Sequence, residues 1–238
     1  MKAISEKHPI IFEIILFVIG LLLAAVVAGV LNMLGCNNDI SASIARILIG
    51  IAFLAVFHRS FKFGNSFKGF VPMLPALLLA IYKIPYHYIS GGGAINAITV
   101  PVLLIGLAPA VFEEILFRGI FISNLKKRFS SPTAIVLISA LVFSLVHLTN
   151  MGGMDMISLL LQLIMAWVAG IVLGAIYLYT GDIISVIVAH FAVDVLGEIF
   201  CGGETTPYYF LVILAALWII ETVYGFLLVR KMPAENEQ

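Results

Sequence analysis

The sequence predicts an all-α, polytopic membrane helix bundle with about eight transmembrane helices. Apolar residues make up 62% of the 238 and charged residues only 11%, whereas soluble domains hold roughly half and a quarter. Long uncharged runs also recur, the first from Ile14 to Asn38. A water-soluble fold cannot use that much apolar surface, because its outside must face water; a bilayer supplies an apolar outside. The formal net charge of zero excludes a basic nucleic-acid binder, which needs clustered Lys and Arg to neutralise phosphates. The chain carries no Gly-rich phosphate loop and no internal repeat.

A span needs roughly 20 apolar residues. On that measure the spans fall at about 10–34, 40–57, 69–86, 98–122, 133–149, 156–179, 183–200 and 208–229. The first is too long for the apolar region of a signal peptide, so it reads as an uncleaved span. The second is shortened by Arg46, and the third is interrupted by Pro72, Pro75 and Pro85. All eight form a single membrane domain, with a motif-bearing core at about 98–200 and accessory spans at 10–86. The two cysteines, Cys36 and Cys201, are too few for a disulfide framework or a thiolate metal site.

Charge orients the bundle. With the N-terminus in the cytoplasm, the inner segments hold Lys2, Lys7, Arg59, Lys62, Lys68, Lys126, Lys127, Arg128, Arg230 and Lys231. The outer segments hold only Arg46 and Lys83. This is the asymmetry of the positive-inside rule, and it predicts that both termini are cytoplasmic.

Ionisable groups at membrane depth are expensive and mark candidate functional sites. The fourth span holds Glu113, Glu114 and Arg118, the fifth Phe143 and His147, and the seventh His190 and Asp194. Residues four apart share a helix face, so Glu114 can pair with Arg118. Glu113 is turned about 100° from Glu114 and has no partner on its own helix, which suits a general base. His190 and Asp194 also share a face, so the carboxylate can orient the imidazole. His147 comes from a third helix. A carboxylate base, two histidines and a supporting acid can activate water for hydrolysis, with or without a metal. Each piece alone has a plainer reading: Glu114 with Arg118 as a structural ion pair, a buried histidine as a hydrogen-bonding residue, Asp194 as a packing contact. A proton or ion pathway would use the same groups.

Three segments in chain order narrow the choice: Glu113-Glu114-x-x-x-Arg118, Phe143-x-x-x-His147 and His190-x-x-x-Asp194. They resemble the three motifs of the CAAX prenyl protease type II family, also called the CPBP or Abi family of intramembrane proteases. The resemblance covers about 101–195, with Phe117 and Gly119 also as in many members. It implies an endopeptidase cleaving near the membrane surface, with a membrane-associated peptide or lipidated protein as substrate. Glu113 and His147 would activate water, and Glu114 with Arg118 would brace the site. His190 and Asp194 would stabilise the oxyanion or bind a metal. A divalent ion such as zinc could engage Glu113, His147, His190 and Asp194, although no His-Glu-x-x-His pair lies on one helix. Where eukaryotic-type members carry Asn, this chain has Asp194, which donates to an oxyanion only when protonated.

Pro109 lies one turn before Glu113 and is expected to kink the fourth span. Gly170-x-x-x-Gly174 would let another helix approach, and Glu198 and Glu221 are expected near membrane edges. Small size points to a prokaryotic plasma-membrane protein. An ion- or proton-coupled transporter, which would show internal repeats, and a non-catalytic immunity or scaffold protein of the same fold are the alternatives. Substrate identity and oligomeric state are not legible.

Overall fold

The computed structural model describes residues 2–61, 66–200 and 208–232; Lys62 and Cys201 lie outside the described residues. Among these, the regular structure is helical: α1 Lys2–Lys7, α2 Pro9–Met33, α3 Asn38–Val56, α4 Ser66–Ala76, α5 Leu78–Ile81, α6 Lys83–Ile89, α7 Val100–Glu114, α8 Ile122–Lys126, α9 Pro132–Val146, α10 Met156–Thr180, α11 Ile183–Ile199 and α12 Tyr208–Arg230. The helix boundaries have local causes. Asn37, Ser131, Asp155 and Asp182 cap α3, α9, α10 and α11 by accepting backbone N–H bonds, satisfying donors that a helix start leaves orphaned. At Asp155 hydrogen bonds from Ser158 hold the carboxyl below its usual range. Gly181, at φ +68°, ends α10 in the left-handed conformation that glycine adopts at no steric cost.

Seven helical segments among the described residues are long and apolar enough to cross a membrane. The chain is a multi-pass membrane protein. This fits the expected polytopic bundle of about eight helices. The segment expected at 183–200 is α11, whose 17 residues rise about 25 Å, at the short end of the roughly 17–25 residues that span a bilayer. α11 packs against α7, α4, α5 and α10. Its polar ends therefore meet protein, where irregular or short elements are tolerated at membrane depth.

The proline-rich third segment is broken into α4, α5 and α6, with Pro72 and Pro75 inside α4. It nevertheless runs the length of α12. Tyr224 donates a 2.6 Å hydrogen bond to the Pro72 carbonyl, and Tyr86 stacks on Phe210 at 5.1 Å. Each pair of anchors is fourteen residues apart, about 21 Å along a helix, so the segment lies antiparallel to α12 as a crossing.

The central helix is α7 with its continuation. α7 lies between α3 and α11, α2 pairs with α3, and α10 joins α9 to α12. The helix continues through Pro109. It widens later, at Ile115–Phe121, into a π-helical stretch in which Ile122 N–H bonds the Phe117 carbonyl. Leu116, Phe117, Ile120 and Phe121 in this stretch are fully buried, among Phe17, Phe53 and Phe112. Outward-facing Leu22, Val26 and Val30 of α2 are exposed, as lipid-facing positions require.

Gly170 lets α10 touch α9: a Cβ there would lie 2.7 Å from the Ala140 Cα. Gly174 makes only ordinary contacts, so the expected close approach is at one glycine of the pair. Gly29 in α2 has open space around it. Gly170→Ala is expected to lower unfolding stability by on the order of 1–3 kcal/mol through overpacking. Gly29→Ala should be neutral or stabilising by up to about 1 kcal/mol. Thermal unfolding of the two variants in detergent checks the contrast.

Candidate active site

Glu114 and Arg118 form the floor. Both are fully buried, and Arg118 Nη1 donates to Glu114 Oε1 at 2.8 Å. The bond spans the start of the π-helical stretch. Such stretches often accompany functional sites because the extra residue in the turn redirects side chains. The guanidinium also lies over the Phe143 ring, its Cζ 4.3 Å from the centroid, a cation–π contact that gains strength where water is excluded. Phe143 in turn meets Phe117, His147 and His190 edge-on, with centroids 5.1, 5.0 and 6.1 Å away. The aromatic residue of the second motif thus joins the cation of the first to the histidines of the second and third. Gly119 has its own reason: a Cβ there would overlap the Phe61 ring.

His190 sits above the floor. Its Nδ1–H donates to Glu114 Oε1 at 2.8 Å, the same oxygen that Arg118 uses. Its Nε2 lies 3.3 Å from Asp194 Oδ2 and 4.0 Å from Glu113 Oε2. Asp194, one turn along, is beside the ring, and Glu114 from α7 holds the other nitrogen.

Glu113 and His147 are the free-ended pair. Glu113 Oε2 is buried and makes no hydrogen bond, and 4.0 Å from His190 is too long for one. His147 opens the tight turn His147–Asn150 that follows α9. Its Nδ1 lies 2.8 Å from the Phe143 carbonyl. A carbonyl only accepts, so Nδ1 carries the proton and Nε2 is left as an acceptor.

Glu113, His147, His190 and Asp194 all line one cavity of about 580 Å³, and Glu114 and Arg118 are buried behind them. Thus all six sequence-derived positions fall in one region, four of them on its wall. Gln162, Asn150, Arg46 and Lys83 also line it and escaped sequence reasoning. Their common signal is a polar residue within or just beside a span. Asn150 and Gln162 pair at 3.1 Å. Glu198 lines the cavity near the end of α11. Glu221, expected at a membrane edge, is instead fully buried in α12, with both carboxylate oxygens lacking hydrogen bonds. Glu13 in α2 is buried in the same way.

Among the described residues no three of His, Cys, Asp and Glu are arranged to hold a metal ion. Nδ1 of each histidine is held by an oxygen of the fold, which fixes the ring and leaves Nε2 as the nitrogen available to the cavity.

Residues 95–196 match the model of a protein family described as type II CAAX prenyl endopeptidase Rce1-like. The matched stretch contains all three motif segments. No curated protein and no solved structure matches the chain.

Glu114→Gln should leave the buried guanidinium without its counter-charge and loosen His190. The expected loss is about 3–5 kcal/mol of stability, read by thermal unfolding in detergent. Glu113→Gln, which removes no hydrogen bond, should melt like the wild type.

Proposed function

From the match of residues 95–196 to the Rce1-like family of type II CAAX prenyl endopeptidases, we propose that the chain hydrolyses a peptide bond of a membrane-associated protein or peptide by direct attack of water, with Glu113 as the base. The observation that carries this reading is the division between two adjacent carboxylates. Glu114 is consumed by Arg118 and His190, while Glu113 has a hydrogen-bond-free oxygen on the cavity wall.

The chemistry follows from these positions. Glu113 takes a proton from a cavity water as the water oxygen bonds to the scissile carbonyl carbon. His147 Nε2, an acceptor in its assigned tautomer, holds the water's other hydrogen and so aligns its lone pair. The tetrahedral oxyanion is stabilised by the Nε2–H of His190, which Asp194 and Glu114 keep in place from either side of the ring. A hydrogen-bond donor fixed before the reaction stabilises developing charge without reorganising. Collapse breaks the carbon–nitrogen bond, and the proton held by Glu113 passes to the departing amine. Water, substrate and products balance with no further reactant. Arg118 touches none of the reacting atoms. It is a positioning residue, acting through Glu114 and Phe143.

The cavity volume suits an extended peptide of a few residues, within the range of about 300–1,000 Å³ common for ligand sites. Its position inside a multi-pass bundle explains why the substrate is a membrane-associated chain.

Purified protein assayed on a panel of short peptides should show cleavage that a chelator leaves unchanged. Glu113→Gln should lower kcat by about 10²–10⁴, the usual contribution of a positioned base, while the unfolding temperature stays at the wild-type value. His147→Ala should lower kcat in the same direction. Wild-type turnover by Glu113→Gln would refute the assignment of the base.

A further inference from the structure

The helices alternate between two ends of the bundle. At one end lie the connections near residues 57–66, 127–131 and 181–182, together with α1 and the end of α12; α1 touches α8 there. At the other end lie the connections 34–37, 90–99 and 151–155 and the end of α11. The first end carries Lys2, Lys7, Arg59, Lys127, Arg128 and Lys231, with Lys126 and Arg230 closing their helices. The three described connections at the second end contain no Lys or Arg. Arg46 and Lys83, which by sequence alone counted against this asymmetry, lie inside α3 and α6 and line the cavity.

The cavity belongs to the end whose connections lack basic residues. Asn150 closes the turn after α9, Glu198 lies one residue from the end of α11, and Lys83 is in α6. From the basic end, the nearest lining positions on α2 and α11 are Phe17 and His190. Each is seven or eight residues into its helix, about 10–12 Å deep. The basic end of the bundle is filled by the phenylalanine-rich packing around Ile115–Phe121.

Positively charged connections stay on the cytoplasmic side during insertion. We infer that the cavity opens to the face of the membrane away from the cytoplasm, and that its substrate is the extracytoplasmic segment of a secreted or membrane-anchored chain. A cytoplasmic C-terminus carrying a prenyl group would meet the closed, basic end. This rests on the peptidase reading for the word substrate, and on geometry and charge alone for the direction of opening.

Cysteine accessibility tests it, and needs no turnover. In a background with Cys36→Ser and Cys201→Ser, single reporters are placed at Gly197→Cys and Thr149→Cys on the cavity wall and at Lys127→Cys on the basic end. A Cβ at Gly197 meets only the Lys83 Cε at 3.9 Å, so the site has room for a thiol. Intact cells are treated with a membrane-impermeant maleimide. Gly197→Cys and Thr149→Cys should label from outside, at least tenfold faster than Lys127→Cys, which should label only once the membrane is opened. The reverse pattern, equal labelling of both ends, or cavity reporters that stay unlabelled in opened membranes would each overturn the inference. A peptide reporter anchored on the outer face should be cleaved and its inner-face counterpart spared. Correct labelling without cleavage would count against the peptidase reading and leave the direction of opening standing.

Discussion

One oxygen atom ties three helices together. Glu114 Oε1 accepts from Arg118 in its own helix and from His190 in α11, and Arg118 in turn lies against Phe143 of α9. Burying a guanidinium and a carboxylate costs several kcal/mol each unless their partners are close and well placed. The bundle must therefore bring α7, α9 and α11 to fixed separations or leave a charge without compensation. Gly106 makes the α7–α11 approach possible, since a Cβ there would be 3.0 Å from the Val195 backbone nitrogen. With Glu114 occupied, the adjacent Glu113 is released for other work.

The same constraint explains the irregular elements. The π-helical stretch after Glu114 puts Arg118 under Phe143 while its aliphatic neighbours fill the closed end of the bundle. The short α11 is surrounded by other helices rather than lipid on its working side, so it can stop early and still hold His190 and Asp194 against the cavity. The tight turn at His147 commits one imidazole nitrogen to the backbone and leaves the other toward solvent-accessible space.

Contacts within a helix were legible in the sequence, and contacts between helices were not. The Glu114–Arg118 bond follows from a spacing of four, and so does the proximity of His190 to Asp194. The Glu114–His190 bond joins residues 76 apart, a separation on which periodicity is silent. Composition made the bundle itself plain, the 17-residue α11 included. The π-helical stretch at Ile115–Phe121 was not legible, because no residue type announces it. Glu221 and Glu13 show the same limit: their depth is set by neighbouring helices.

The central claim, that Glu114 holds Arg118 and His190 so that Glu113 is free, is tested most directly by a double-mutant cycle on stability. Unfolding free energies of the wild type, Glu114→Gln, His190→Gln and the double variant give the coupling between the two side chains. Residues sharing one buried network couple by about 0.5–3 kcal/mol, and a value in that range is expected here. Additive effects, with a coupling indistinguishable from zero, would contradict the account.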